Sequence, residues 1–238
     1  MKEACATVDV TPVGDHKIKK ENYQIIEWKK EHGNYICPFC NIIEGMKHRD
    51  GCLYLEDISE LEIFCKQKDF DIDKLRLNLG SGNVRFSNCV NMEYKKHKDV
   101  DADVYGDLLK GIPFPNESFV EVLFIHVIEH IERRYHMAVM DEIWRVMKPG
   151  ARLVMGFPDV IENMKRFIEN KYGGRWNLYH NIIFGRQARP GDFHVTGIEE
   201  QDFKDRLMSA GFTNIKWLRH SINVTVTAIK GEKLNAYI

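Results

Sequence analysis

LRLNLGSGN, residues 75–83, is the stretch on which the rest of the chain turns. A short apolar run that breaks into two glycines one residue apart is how a buried strand ends where its backbone must pass close to a ligand. A dinucleotide fingerprint needs a third small residue three positions after the second glycine, so that the next helix can pack on the strand. That position is Arg85. The turn alone therefore leaves dinucleotides, phosphates, S-adenosylmethionine and a tight turn without a ligand all open.

Downstream of residue 75, apolar runs of strand length alternate with helical segments, which predicts a parallel sheet built of βα units. Strands are expected at about 75–79, 89–93, 120–125 and 151–157. The segment YHMAVMDEIWRVMKPG places Met137, Met140, Ile143, Trp144 and Met147 on one helical face and should stop at Pro149-Gly150. A Met-rich face of this kind reads as core. IEEQDFKDRLMSAGF reads as a later helix ending at Gly211. NIKWLRH and NVTVTAIK, only a few residues apart, should pair antiparallel. Upstream, residues 1–19 lack periodicity, KENYQIIEWKKEH reads as a short amphipathic helix, and the pieces broken by Pro38, Gly45 and Gly51 read as a small irregular subdomain. The expected division is an N-terminal extension over residues 1–70 and a main domain over 71–238.

Composition narrows the partners. With 238 residues and 44% hydrophobic content, the chain can bury one full-sized core. The 34 Lys and Arg nearly balance 35 Asp and Glu, so there is no global field to hold nucleic acid or an anionic membrane; only the lysines at 17, 19, 20, 29 and 30 form a local basic patch. No run approaches the roughly 18 apolar residues of a membrane span, and the first residues lack the apolar centre of a signal peptide. The expected location is cytoplasmic, and the six cysteines are expected as thiols or metal ligands rather than disulfides.

The glycine turn gains meaning from its downstream neighbours. CVNMEY ends a second strand at Glu93, where a carboxylate at the sheet's C-terminal edge can accept from both hydroxyls of a ribose. In DADVYGDLLKGIPFPNESF, Asp107 could accept from an adenine amino group while Leu108 packs on the ring. VEVLFIHVIEHI then runs from a buried strand into a turn bearing His126, Glu129 and His130. With EIWRVMKPGARLVMGFPD and FHVTGIEEQDFKDRLMSAGF, these stretches make residues 72–230 resemble the class I S-adenosylmethionine-dependent methyltransferases, in the branch called methyltransferase type 11.

The resemblance implies an α/β fold, a Rossmann-like seven-stranded sheet with an antiparallel last strand, to which the small N-terminal extension is added. It implies a methionine-side loop of Asn78, Gly80, Ser81 and Gly82, ribose on Glu93, adenine on Asp107 and Leu108, and His126 beneath the sulfonium. Glu93 stands where many relatives carry Asp, and Ala151 where many carry a second glycine. The implied activity is methyl transfer to a small-molecule acceptor, a sugar or other metabolite, at oxygen or nitrogen. The rival readings are a binding scaffold without catalysis, and a nucleic-acid or protein methyltransferase using the extension for recognition.

Methyl transfer is helped mainly by alignment, and a base is needed only for a hydroxyl or protonated amine. Candidates for that base are His126, His130 and His194. The segment RWNLYHNIIFGRQARPGDFHVTG, with Arg175, Trp176, Tyr179, His180, Arg186 and Arg189, is either an acceptor-binding lid or an ordinary excursion; as a lid, its arginines would favour an acceptor with carboxylate or phosphate. In the extension, Cys37 and Cys40 have the gap that lets two thiolates reach one tetrahedral ion, and His48 and Cys52 continue the series, with Cys65 as a substitute. That pattern is open between a zinc knuckle and a reduced thiol pair that packs.

Overall fold

The computed structural model describes residues 55, 57–96, 98, 100–171, 173–188 and 191–233. The four expected parallel strands form, as β1 (Arg76–Leu79), β2 (Cys89–Glu93), β4 (Phe119–Ile125) and β5 (Met147–Pro158). A two-residue strand, β3 (Val104–Tyr105), extends the edge beside β2; two residues carry no readable alternation, so the sequence holds no sign of it. The order across the sheet is β3-β2-β1-β4-β5-β7-β6, with β6 (Phe212–His220) and β7 (Asn223–Lys230) paired antiparallel as expected. β7 lies between β5 and β6 and runs antiparallel to both, so the Rossmann-like seven-stranded sheet with its antiparallel last strand is present.

Covered parallel strands are apolar nearly throughout, and Leu77, Leu79, Val122, Phe124, Leu153, Met155 and Phe157 are fully buried. Helices close over them. α2 (His136–Val146) contributes Val139, Met140, Ile143 and Val146, and α5 (Glu200–Ser209) contributes Phe203 and Leu207. Phe157 joins strand to helix, meeting Phe203 edge-on at 5.6 Å and Trp217 at 5.4 Å. α2 stops at Val146, three residues before the expected Pro149-Gly150, and Met147 opens β5 in an extended conformation. The residue before a proline is pushed from helical toward extended backbone, so Pro149 acts through Lys148 rather than at its own position.

α1 (Ile58–Lys68) is a correction to the irregular subdomain expected there. Asp57 caps it by accepting from the Glu60 N–H at 3.0 Å, and it buries Leu61, Phe64 and Cys65 in the same core as the sheet. Phe64 meets Phe114 edge-on at 6.0 Å, and Phe114 meets Phe119 at 5.1 Å. This part of the extension therefore packs as one layer with the main domain, and Cys65 is a core thiol. Cys37, Cys40, His48 and Cys52, like the amphipathic segment before them, lie outside the described residues.

One polar network crosses the buried sheet. The Asp103 carboxylate accepts from the Asn91 N–H at 2.9 Å, the Asn91 amide at 3.1 Å and the Arg85 guanidinium at 2.8 Å. Asn91 Oδ1 in turn accepts from the Asn78 amide at 3.2 Å, which also donates to the Val84 carbonyl at 3.1 Å. Burial pushes the Asp103 carboxyl up, but the hydrogen bonds from Asn91 and Arg85 outweigh it and hold the group below the ordinary carboxylate range. A depressed carboxyl stabilises the fold above its unfolded value, about 3.9, and that contribution disappears as pH falls through the folded value. Asp103→Ala should cost roughly 2–3 kcal/mol in urea denaturation at neutral pH, from loss of charge-assisted hydrogen bonds. The gap between variant and wild type should close as pH drops below about 4; a gap that is independent of pH would contradict this account.

Candidate active site

The turn after β1 is held from below and lined from beside. Gly80 and Gly82 both adopt positive φ, +65° and +53°. The Ser81 N–H donates to the Met92 carbonyl at 3.0 Å, and the Gly82 N–H donates to Glu93 Oε2 at 2.7 Å. The Tyr94 N–H donates to the other Glu93 oxygen at 2.8 Å. Each carboxylate oxygen keeps a second lone-pair direction, so Glu93 can still accept from a ligand. Asn78 and Ser81 are buried and do not line the cavity: Asn78 braces the turn, and Ser81 Oγ has no hydrogen-bond partner among the described residues. Sequence spacing puts both at the loop without showing which way they face.

A cavity of about 430 Å³ opens where the strand order reverses, between β1 and β4, at the strands' C-terminal ends. Its size suits a small ligand, for which clefts run about 300–1,000 Å³. Gly80 and Gly82 supply one wall, Glu93 the end of β2, and Asp107 and Leu108 the turn after β3. Asp107 begins a 3₁₀ turn and accepts from the Leu109 N–H at 3.0 Å. A Cβ on Gly82 would meet no atom of the described residues within 4 Å, whereas one on Gly80 would fall 2.3 Å from Val127 Cγ2. The two glycines thus serve different ends: Gly80 lets the turn pack on the β4 side, while Gly82 keeps its backbone open.

His126 and Val127, just after β4, form the opposite wall, and His130 borders the same cavity. His126 sits at φ +54°, a conformation costly for a residue with a Cβ, and its Nδ1 lies 3.0 Å from Glu129 Oε1. That hydrogen bond raises the imidazole's pKa against the opposing effect of burial. His130 Nδ1 lies 2.9 Å from the Phe193 carbonyl, and His194 Nδ1 lies 3.0 Å from the Ile182 carbonyl. The His130 and His194 rings meet edge-on at 4.8 Å, so the three candidate histidines are gathered around Glu129. Burial lowers the pKa of His194. Glu129 itself is buried, and the sequence marks it only as a residue between two histidines. Its one signal there is an acid beside His130 in a turn otherwise made of Val127, Ile128 and Ile131.

The segment open between a lid and an ordinary excursion contains a helix, α4 (Trp176–Phe184). Tyr179 stacks on Phe167 of α3 (Val160–Ile168) at 4.0 Å, and Trp176 meets the same ring at 5.8 Å. Trp176 and Tyr179 therefore pack on α3. It is Gly191 and Asp192, beyond the helix, that reach the cavity. Arg175, His180 and Arg186 do not line it, and Arg189 lies outside the described residues.

Residues 77–155 match a family model described as a methyltransferase domain. That segment runs from β1 to β5 and includes the glycine turn, Glu93, Asp107 and the histidine turn. Over this third of the chain the sequence is similar to methyltransferase domains, in keeping with the type 11 branch of the class I S-adenosylmethionine-dependent enzymes that its motifs resemble. No curated protein matches the sequence. Solved structures that align include an S-adenosylmethionine-dependent methyltransferase of Archaeoglobus fulgidus, at 12% identity and TM-score 0.47 over 73% of this chain and 95% of that one. A Thermotoga maritima methyltransferase described as a possible histamine N-methyltransferase aligns at 15% identity and TM-score 0.46, over 73% and 96%. Haemonchus contortus phosphoethanolamine N-methyltransferase 2, in complex with S-adenosyl-L-methionine, aligns at 12% and 0.43, over 74% and 53%. Likenesses at this level bear on neither substrate nor partner.

Both glycine positions carry a left-handed backbone, which costs an L-residue about 1–2 kcal/mol. Gly82→Ala should lose about that much in thermal or urea unfolding, and Gly80→Ala at least twice as much because Val127 must also move. Equal losses would mean that the turn yields freely at Val127.

Proposed function

We propose that this protein methylates a small-molecule acceptor at oxygen or nitrogen, with S-adenosylmethionine as donor. The observation that carries the reading is the order of groups around one cavity: an open glycine backbone, a carboxylate at the end of β2, a carboxylate with an apolar neighbour after β3, and a histidine after β4. These are the groups a nucleoside with a charged amino-acid arm requires. When bound, S-adenosylmethionine supplies an activated methyl group on a sulfonium.

The chain's residues bind, orient and handle a proton. Glu93 accepts from the ribose hydroxyls, and its existing bond to the Gly82 N–H ties that contact to the position of the turn. Asp107 accepts from the adenine amino group, and Leu108 covers a ring face. Both arms fix where the methyl group stands, and such alignment supplies most of the acceleration in this chemistry. His126 is held by Glu129 with its Nδ1 proton on the carboxylate, which makes its other ring nitrogen the more basic. It takes the proton of an acceptor hydroxyl or ammonium. The near-neutral charge of the chain accords with a small acceptor better than with nucleic acid.

Calorimetric titration with S-adenosylmethionine, with NAD as control, tests the donor. Glu93→Ala should weaken binding about 30-fold, the equivalent of about 2 kcal/mol for lost hydrogen bonds to a charged group. Unchanged affinity in a folded variant would remove Glu93 from the site, and no binding of S-adenosylmethionine to the wild-type chain would overturn the reading.

A further inference from the structure

Beside the cavity, three groups able to ligate a metal stand together without an explanation in the binding of the donor. One ligand atom each from Glu129, His130 and His194 lies within 4.8 Å of the others, a clustering found among the described residues. Closeness alone decides nothing, but the hydrogen bonds around the cluster do more. A backbone carbonyl can only accept, so the Nδ1 atoms of His130 and His194, bonded to the carbonyls of Phe193 and Ile182, both carry the proton. Each ring is left with a lone pair on Nε2. Glu129 is only 2% exposed; its Oε1 meets His126, and its Oε2 is buried with no hydrogen-bond partner among the described residues. A buried carboxylate oxygen with no donor is costly, and Glu129 stands beside two imidazoles that, in the neutral form, each keep a lone pair on the remaining nitrogen.

An imidazole whose far nitrogen donates to a backbone carbonyl, beside a carboxylate held by a further imidazole, is the arrangement that orients ligands toward a metal. The main chain fixes it as well. The Glu129 carbonyl accepts from the Val195 N–H at 2.8 Å and the Thr196 N–H at 3.3 Å, so the loop carrying His194 is tied to the turn carrying Glu129 and His130. Imidazole nitrogen and carboxylate oxygen bind such ions at roughly 2.0–2.2 Å, so ligand atoms up to 4.8 Å apart must draw together to share one ion.

We propose that Glu129, His130 and His194 form a site for a divalent first-row transition ion, placed at the acceptor side of the cavity. Two nitrogens and one oxygen select against calcium and magnesium, which take oxygen ligands. Three protein ligands leave coordination positions open, as in catalytic rather than structural sites. His130 borders both the cluster and the cavity, so an open position on that side would take an oxygen of the acceptor. This role, unlike the ion site itself, rests on the methyltransferase reading, and it favours an oxygen-bearing acceptor.

The test is titration of the chelator-treated, full-length chain with cobalt(II) chloride, monitored by visible d–d absorption. Thiolate ligation at the cysteines of the extension would show separately as near-ultraviolet charge transfer. The expected result is one cobalt per chain with d–d bands of a nitrogen–oxygen site, weakened at least tenfold by Glu129→Gln and by His194→Ala, while calorimetry on the His194→Ala chain shows S-adenosylmethionine binding within about twofold of wild type. His130→Gln serves where either variant fails to give the wild-type circular dichroism spectrum. A wild-type chain that binds S-adenosylmethionine but gives no nitrogen–oxygen cobalt signal overturns the proposal, as does a signal that survives all folded variants. Cobalt bound and lost as expected, without S-adenosylmethionine binding, upholds the ion site and sinks the methyltransferase reading instead.

Discussion

The buried carboxylate of Asp103 is the constraint from which the site takes its shape. It holds Asn91 through backbone and side chain, and through Asn91 it holds Asn78, whose amide also catches the Val84 carbonyl on the far side of the glycine turn. Arg85 closes the ring from the other end. A turn made of glycines has no side chains of its own with which to fix itself, so its position is imposed by polar groups beneath it. This also explains Arg85, the residue that breaks the dinucleotide pattern. It serves as an anchor at the point where a dinucleotide-binding turn would need a small residue to admit a helix.

Such a network carries risk as well as order. Inside a protein each unsatisfied polar atom is expensive, and each satisfied one strengthens its neighbours. Asp103 is offered three donors, with Lys68 a further cation at 3.5 Å, so its charge is well compensated. Glu129 is the contrasting case: one oxygen is met and the other is not. The two carboxylates differ in this: the donors around Asp103 brace the turn, while Glu129 keeps one oxygen without a partner among the described residues.

Most of the sheet was legible because parallel strands buried on both faces are largely apolar, and the runs at 75–79, 89–93 and 120–125 are mostly apolar and of strand length. The antiparallel pair at the end was legible from its short connection. β3 was not, since its two residues lack a period, and α1 was not, because Pro38, Gly45 and Gly51 colour the whole region as irregular while Leu61, Phe64 and Cys65 sit on a helix of low amphipathicity. Within the site, Glu93, Asp107 and the glycines could be placed at strand ends by spacing alone. Asp103 and Glu129 could not be singled out, because what marks them is the set of donors that tertiary structure brings or fails to bring. The gathering of His194 beside His130 joins residues far apart in the sequence by way of the Glu129 carbonyl, which no local pattern encodes.

The position of β7 bears on how the domain is made. It comes after all the other strands of the sheet in sequence, yet it lies between β5 and β6, so the seam it fills stays open until residues 223–230 have left the ribosome. Until then β5 exposes an unpaired edge, in the strand that carries Leu153, Met155 and Phe157, a surface prone to pairing with other chains. A chain stopped before residue 223 would lack more than a terminal strand. It would retain the cavity residues of the first half on a sheet with a raw edge, a nascent chain needing shelter rather than a smaller working domain.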